Sequence, residues 1–309
     1  MITVYFDATN HVWAEFAEDL RSEFAAAGLD VDLTRDADPA LVDYIVYAPT
    51  GWLKDFSPFT RLKGVHSLWA GVEKIVGNET LQVPLARMVD FGLREGMVEY
   101  CVGHVLRYHL GMDRDVLRQD TSWDIHVPPL ARDRSVTILG LGALGAAVAE
   151  ALIALNFPVI GWSRRQKEIA GVRCLCGQAG LESALEAGEI VVLLLPQTPE
   201  TNNILDAEAL AKLPAGAHIL NPGRGPLIDD DALLAALDSG HIAHATLDVF
   251  RVEPLPGDHP FWAHPRVTVT PHIASDTRPS SAAKLVADNF RRAEAGEPML
   301  HIVDRSAGY

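Results

Sequence analysis

Three short stretches in the last third of the chain carry residue types that could do chemistry together. They are Asn221-Pro222-Gly223-Arg224-Gly225, Asp248-Val249-Phe250-Arg251-Val252-Glu253-Pro254 and Thr270-Pro271-His272. Each follows an apolar run that reads as a strand, so Arg224, Glu253 and His272 are expected on loops. An arginine can hold both oxygens of a carboxylate in a bidentate way that lysine cannot match. A protonated imidazole can give its proton to a ketone oxygen as hydride arrives at the carbon. A carboxylate beside that imidazole favours its charged form and fixes the ring tautomer. A fourth piece, Gly140-Leu141-Gly142-Ala143-Leu144-Gly145, reads as a dinucleotide site able to supply a nicotinamide. An Arg, a His, a Glu and a nicotinamide are the set needed to reduce a 2-keto acid. The chain has 12 histidines, and all except His272 are read as structural. Nothing in the sequence suggests a metal.

The glycine fingerprint has the context it requires. Val136-Thr137-Ile138-Leu139 precedes it as a strand, and a helix with Leu144, Ala147, Val148, Ala151, Leu152 and Leu155 on its apolar face follows. Gly140 allows a tight turn, Gly142 lets backbone approach a pyrophosphate, and Gly145 lets the helix pack closely. The helix N-terminus, from Ala143 and Leu144, offers N–H groups and a positive dipole end to the phosphates. The second strand ends in Ile160-Gly161-Trp162-Ser163-Arg164-Arg165. An NAD enzyme usually carries an acidic residue there to accept from the ribose hydroxyls. Its absence, with Ser163 to hydrogen-bond and Arg164 or Arg165 to pair with a 2′-phosphate, predicts NADP(H) over NAD(H).

The elements that must position these residues follow a regular pattern. Apolar runs at Val136–Leu141, Pro158–Trp162, Ile190–Leu195, His218–Asn221, Ala245–Val249 and Val267–Val269 alternate with helix-like segments, which predicts a parallel sheet of six strands covered on both faces. Residues 1–98 show a shorter series, with strands at Thr3–Asp7, Val31–Leu33, Tyr44–Ala48, Gly64–Trp69 and Pro84–Val89. A helix with Val98, Cys101, Val102, Val105 and Leu106 on its buried stripe is expected to begin near Glu95. The predicted fold class is α/β. It has two doubly wound domains, with a Rossmann dinucleotide-binding domain (99–284) inserted in a smaller flavodoxin-like substrate domain (1–98 and 285–309).

The chain has 309 residues, enough for two cores, with 48% hydrophobic and 22% charged residues. A net charge of -15 argues against nucleic acid and anionic membrane surfaces, though not against a small anionic substrate. No apolar stretch approaches the roughly 20 residues of a membrane helix, and the N-terminus reads as a strand, so a cytoplasmic location is expected. Three cysteines at Cys101, Cys174 and Cys176 suit neither a disulfide framework nor a metal site.

These pieces, with Leu194-Leu195-Pro196-Gln197-Thr198-Pro199-Glu200-Thr201 and the terminal Val303-Asp304-Arg305 and Gly308-Tyr309, resemble the D-isomer-specific 2-hydroxyacid dehydrogenase family, most of all its glyoxylate/hydroxypyruvate reductase A group. The resemblance covers essentially the whole chain, most specifically residues 136–275. It implies a two-domain fold, an active site in a cleft and a homodimer. It implies that Asp248 contacts the nicotinamide side of the cofactor and that Leu195, Pro196 and Thr201 form a loop passing it. Pro222-Gly223 departs from the commoner small-residue pair before the arginine, yet its backbone contact with the cofactor is expected to survive. Formate dehydrogenases of the wider family carry Gln in place of Glu253, so Glu253 favours ketone reduction.

On the substrate side, Trp69-Ala70-Gly71-Val72 resembles the loop whose N–H groups meet the substrate carboxylate. Tyr47 stands where the group tends to place a Trp facing the substrate, and Trp52 and Met97 are nearby candidates. Trp123 is read as a buried dimer anchor or a residue reaching a partner's cleft. The expected function is NADPH-dependent reduction of glyoxylate and hydroxypyruvate, with His272 as proton donor. The bulk of Tyr47 and Trp69 keeps a larger acid such as phenylpyruvate open as the alternative. A non-catalytic NAD(P)-sensing scaffold on the same fold is the more distant one.

Overall fold

The structure is a computed structural model and describes residues 1–121 and 123–308. The chain divides into two compact units, residues 1–93 with 276–309 and residues 94–275. The sequence reading placed these boundaries at 98/99 and 284/285.

Unit 1 begins β1 (Ile2–Asp7), α1 (Asn10–Ala26), β2 (Val31–Thr34), β3 (Tyr44–Tyr47), β4 (Gly64–Ser67) and β5 (Leu85–Ala86). All five strands pair in parallel in the order β2-β1-β3-β4-β5, the doubly wound flavodoxin-like order. The buried residues of α1, Val12, Phe16, Ala17, Leu20 and Phe24, recur at helical spacing.

Unit 2 carries α2 (Phe91–Leu110, from Arg94), α3 (Met112–Val116), β6 (Val136–Leu139), α4 (Ala143–Ala154), β7 (Val159–Ser163), β8 (Val172–Cys176), α5 (Gly177–Glu186), β9 (Ile190–Leu193), α6 (Ala207–Lys212), β10 (Ala217–Asn221), α7 (Asp230–Asp238), β11 (Ile242–Leu247) and β12 (Val267–Val269). The chain ends with α8 (Pro279–Glu294) in unit 1. Phe290 of α8 stacks between Phe24 and Tyr44, with ring centroids 5.7 and 4.4 Å away. The Tyr44 hydroxyl also donates to Glu294 at 2.7 Å. These contacts hold all of α8 in unit 1, which moves the boundary ahead of 284.

The sheet of unit 2 is parallel throughout, in the order β12-β11-β10-β9-β6-β7-β8. Seven strands are present where six were expected. The added strand is β8, an edge strand whose Val-Arg-Cys-Leu-Cys sequence alternates and is only half-buried, so it lacks the apolar run of an inner strand. Cys174 and Cys176 lie on it as free thiols. Helices α2 and α4 pack on one face of the sheet, and α5, α6 and α7 supply the core on the other. α2 begins at Phe91, four residues before the expected Glu95, because the Asp90 carboxylate accepts from the Leu93 N–H at 3.1 Å. Leu155 lies past the end of α4 and is exposed, so it does not join the buried face expected of it. Among the described residues, no helix is long and apolar enough to cross a membrane.

The C-terminal half of α2 sits over a cluster of polar side chains. The Tyr108 ring packs on His218 and His244, with centroids 4.6 and 5.8 Å away, and Arg107 pairs with Asp113 at 2.7 Å. Burial, then the nearby Arg134, pushes His218 down to about 4, and burial, then Arg107, does the same to His244. Both folded values lie below the ordinary 6.5, so their contribution to stability is complete above that pH and is lost as pH falls toward 4. The melting temperature is expected to fall by on the order of 5 °C between pH 7 and pH 5. His218→Leu should flatten that slope, as read by calorimetry across the range.

Candidate active site

The glycine loop joins β6 to α4. Gly140 has φ of +113°, and a Cβ on it would lie 2.5 Å from the Leu194 carbonyl oxygen. A Cβ on Gly145 would lie 1.8 Å from the Gly140 carbonyl oxygen, so the first turn of α4 packs directly on the loop. Gly142 differs: a Cβ there would meet nothing within 4 Å. The first two glycine positions described are therefore required by the protein's own packing. The third is open, at the N-terminus of a 12-residue helix where Ala143 and Leu144 begin the first turn. That space and those N–H groups fit a pyrophosphate.

At the end of β7, Ser163 is half-buried and its hydroxyl donates to the Arg165 carbonyl oxygen at 2.8 Å. In this conformation it shapes the loop that carries Arg164 and Arg165, both of which are exposed. Arg164 lies close enough to Glu200 to help hold that carboxylate below its usual range, after hydrogen bonds from the Glu200 backbone and Thr198. Leu195 is buried. The Thr201 hydroxyl donates to the Pro196 carbonyl oxygen at 2.7 Å and accepts from the Thr198 N–H at 2.8 Å, so it staples the loop from 196 to 201 shut on itself.

The register of β10, β11 and β12 places the loops that carry Arg224, Glu253 and His272. Asn221 pairs with Leu247, and Leu247 with Val269, so all three strands end in one row. The loops bearing Arg224, Glu253 and His272 leave the sheet at that carboxyl edge, where parallel α/β sheets bind ligands. The buried Asn221 side chain shapes the first turn, accepting from the Gly223 N–H at 3.1 Å and donating to the Arg224 carbonyl oxygen at 3.0 Å. Pro222 and Gly223 are buried within it. A Cβ on Gly225 would lie 2.0 Å from the Phe250 backbone, so this turn and the Glu253 loop touch. One Arg224 nitrogen donates to the Gly223 carbonyl oxygen at 2.7 Å, which aims the guanidinium.

Glu253 and His272 meet directly. Nδ1 of His272 lies 2.8 Å from Oε2 of Glu253, and Oε1 of Glu253 accepts from the Phe250 N–H at 2.9 Å. Arg251 pins the same loop through Asp230 at 3.5 Å. The pair leaves Nε2 of His272 as the nitrogen facing away from Glu253 on a side chain that is 51% exposed. An exposed ring nitrogen with its other nitrogen held by a carboxylate suits a proton donor. Asp248 is fully buried, and its carboxylate accepts from Thr270, Ile273 and Ala274.

The expected substrate residues of unit 1 also gather at one sheet edge. Asp7, Tyr47 and Ser67 pair across β1, β3 and β4. Tyr47 is buried, and burial, then the charge of Asp7, pushes its hydroxyl up. Trp69, Ala70 and Gly71 are half-buried just beyond β4. The Trp69 N–H donates to Ser67 at 3.2 Å, and Arg87 donates to the Ala70 carbonyl oxygen at 3.5 Å. Asp7 has no role in the sequence reading, yet its buried carboxylate accepts from Trp52 and Leu53 N–H groups at 2.9 and 3.0 Å and holds that loop. Trp52 itself is exposed. Met97, a substrate candidate by sequence, is buried in the core of unit 2 with Cys101 and Val105 at helical spacing. Trp123 is 92% exposed in the chain alone, so any burial as an anchor would require a partner. Of the terminal motif, Tyr309 lies outside the described residues.

Residues 103–274 match the family model described as D-isomer specific 2-hydroxyacid dehydrogenase, NAD binding domain. The chain belongs to that family. It is 43% identical over 257 residues to glyoxylate/hydroxypyruvate reductase A of Serratia proteamaculans, covering 81% of this chain and 82% of the relative. A D-isomer specific 2-hydroxyacid dehydrogenase from Xanthobacter autotrophicus Py2, solved with NADPH and MES, superposes with a TM-score of 0.91 at 41% identity, covering 100% of this chain and 99% of the other. The NADPH-dependent glyoxylate/hydroxypyruvate reductase of Sinorhizobium meliloti, solved with NADP and sulfate, gives 0.84 at 34% identity with 100% of both chains covered.

Proposed function

We propose that this dehydrogenase reduces small 2-keto acids, glyoxylate and hydroxypyruvate, with NADPH. The observation that carries the reading is the His272–Glu253 pair at 2.8 Å, on the sheet edge that also presents Arg224. The names of the relatives from Serratia and Sinorhizobium support the substrate class. The NADPH and NADP in the Xanthobacter and Sinorhizobium structures support the cofactor.

In this reading Gly140, Gly142, Ala143, Leu144 and Gly145 hold the pyrophosphate. Arg164 and Arg165, on the loop shaped by Ser163, pair with the 2′-phosphate. Leu195, Pro196, Thr201, Pro222, Gly223 and Asp248 line the path of the cofactor. NADPH, when bound, supplies the hydride that reduces the carbonyl carbon. Arg224 binds the substrate carboxylate through its fork and so fixes which carbon is presented. Nε2 of His272 gives its proton to the carbonyl oxygen, and Glu253 keeps Nδ1 protonated and the ring oriented. The product is the 2-hydroxy acid, with one hydride gained at carbon and one proton at oxygen. Within unit 1, Tyr47 and the N–H groups of Trp69, Ala70 and Gly71 are the proposed substrate-binding groups.

A cytoplasmic homodimer completes the proposal. Val116, Leu117, Trp123, Ile125, Val127 and Leu130 are all well exposed along one segment, which supports a second copy covering it. The test is NADPH consumption with glyoxylate, hydroxypyruvate and phenylpyruvate, repeated with NADH and with Arg164→Ala/Arg165→Ala. Turnover of the two small acids, with NADPH favoured and the preference reduced at least about tenfold in the double variant, is expected. Preference for phenylpyruvate would move the substrate to the bulkier class. NADPH binding without turnover of any acid would favour a sensing role.

A further inference from the structure

His272 adopts a backbone conformation that a histidine rarely takes, with φ of +55°. Left-handed backbone is strained for a residue other than glycine, and persists where the surroundings over-determine it. Here most of the hold comes from one buried residue, with the Thr270 carbonyl oxygen sharing the His272 N–H at 3.0 Å. The Asp248 carbonyl oxygen accepts from the His272 N–H at 2.8 Å. The Asp248 carboxylate then takes the next two backbone donors, Ile273 N–H on Oδ1 at 2.9 Å and Ala274 N–H on Oδ2 at 2.9 Å. Three consecutive amides from His272 onward are thus fixed by a single aspartate.

That aspartate is oriented from behind. The Thr270 hydroxyl donates to Asp248 Oδ1 at 2.6 Å, and the Tyr100 hydroxyl lies 2.7 Å from Thr270 Oγ1. Because Thr270 gives its only hydroxyl proton to Asp248, Tyr100 must be the donor to Thr270. The result is a directed chain from Tyr100 in α2, through Thr270 and Asp248, to the backbone of the His272 loop. The Thr270 hydroxyl is the link that sets the rotation of the Asp248 carboxylate, and so the placement of both amides.

We infer that Thr270 and Tyr100 are positioning residues for reduction: through Asp248 they hold His272 in the left-handed conformation from which its ring meets both Glu253 and the substrate. The inference rests on the proposed role of His272 as proton donor. It assigns Thr270 and Tyr100 no contact with substrate or cofactor.

The test uses the full chain with NADPH and glyoxylate, and compares Thr270→Val, Thr270→Ser and Tyr100→Phe with the unaltered protein. Thr270→Val keeps the shape and removes the hydroxyl, while Thr270→Ser restores it. Thr270→Val should lower kcat about tenfold or more, Tyr100→Phe about threefold, and Thr270→Ser should stay within about twofold, with KM for NADPH near its original value throughout. In parallel, NMR of the labelled imidazoles, assigned with His272→Ala, should show the His272 signal displaced in Thr270→Val and Tyr100→Phe and in place in Thr270→Ser. An unchanged kcat with an unmoved His272 signal in Thr270→Val would overturn the inference. So would a loss confined to KM for NADPH, which would make the chain a cofactor-binding device. If the unaltered protein reduces no 2-keto acid, the functional reading fails by itself, and the NMR comparison still decides whether the chain positions His272.

Discussion

Replacing His272 with Ala is expected to lower kcat/KM for glyoxylate by about 10²–10⁴-fold, the range that a positioned general acid contributes. The affinity for NADPH should stay within about threefold, because the glycine loop and the Arg164-Arg165 loop are separate from the imidazole in the sequence and leave the sheet at other strands. The split matters more than the size of the loss. A proton donor acts on the transition state, so kcat should fall with kcat/KM, whereas a residue that only binds substrate would raise KM. Glu253→Gln offers a graded companion. It keeps a hydrogen-bonding group 2.8 Å from Nδ1 but loses the charge, and should fall between the unaltered protein and His272→Ala. Steady-state kinetics paired with fluorescence titration of NADPH measures both quantities.

Arg224→Lys should be nearly as damaging as Arg224→Ala. Both are expected to cost about 10²–10³-fold in kcat/KM, since a lysine keeps the charge but not the planar fork that matches a carboxylate. The loss should show in KM and in kcat together, because a carboxylate held by one point charge no longer fixes the carbonyl beside it. The turn around Arg224 should survive either change. Its shape comes from the Asn221 side chain and the Gly225 approach to Phe250. An unchanged melting temperature would show that the kinetic loss is local. An Arg224→Lys protein with near-original kinetics would remove Arg224 from the carboxylate-binding role.

The parts of this molecule legible in the sequence are those with a local physical signature. The inner strands β6 and β9 are unbroken apolar runs buried on both faces, and the sequence patterns mark them plainly. The edge strand β8 carries no such run because its residues are exposed or only partly buried, so no apolar pattern marks it in the sequence. Residue type and strand position pair Glu253 with His272 in the sequence, and in the structure the two side chains lie 2.8 Å apart. Other features depended on partners far along the chain. Met97 reads as a substrate neighbour from its position, but its spacing to Cys101 and Val105 puts it in the core. The conformation of His272 is set by amides accepted by a residue 24 or more positions earlier, which no short motif reveals. Asp7 gave no sign of its hold on the Trp52 loop, since a strand-ending aspartate looks like any surface acid until its two N–H partners are seen.

The measurement that tests the central claim most directly is the fate of a deuterium carried as hydride on the nicotinamide of NADPH during reduction of hydroxypyruvate. The account predicts one deuterium at C2 of the hydroxy acid for each NADPH consumed, with the hydroxyl proton drawn from solvent by way of His272. Product with solvent hydrogen at C2, or NADPH bound without any product formed, would contradict it.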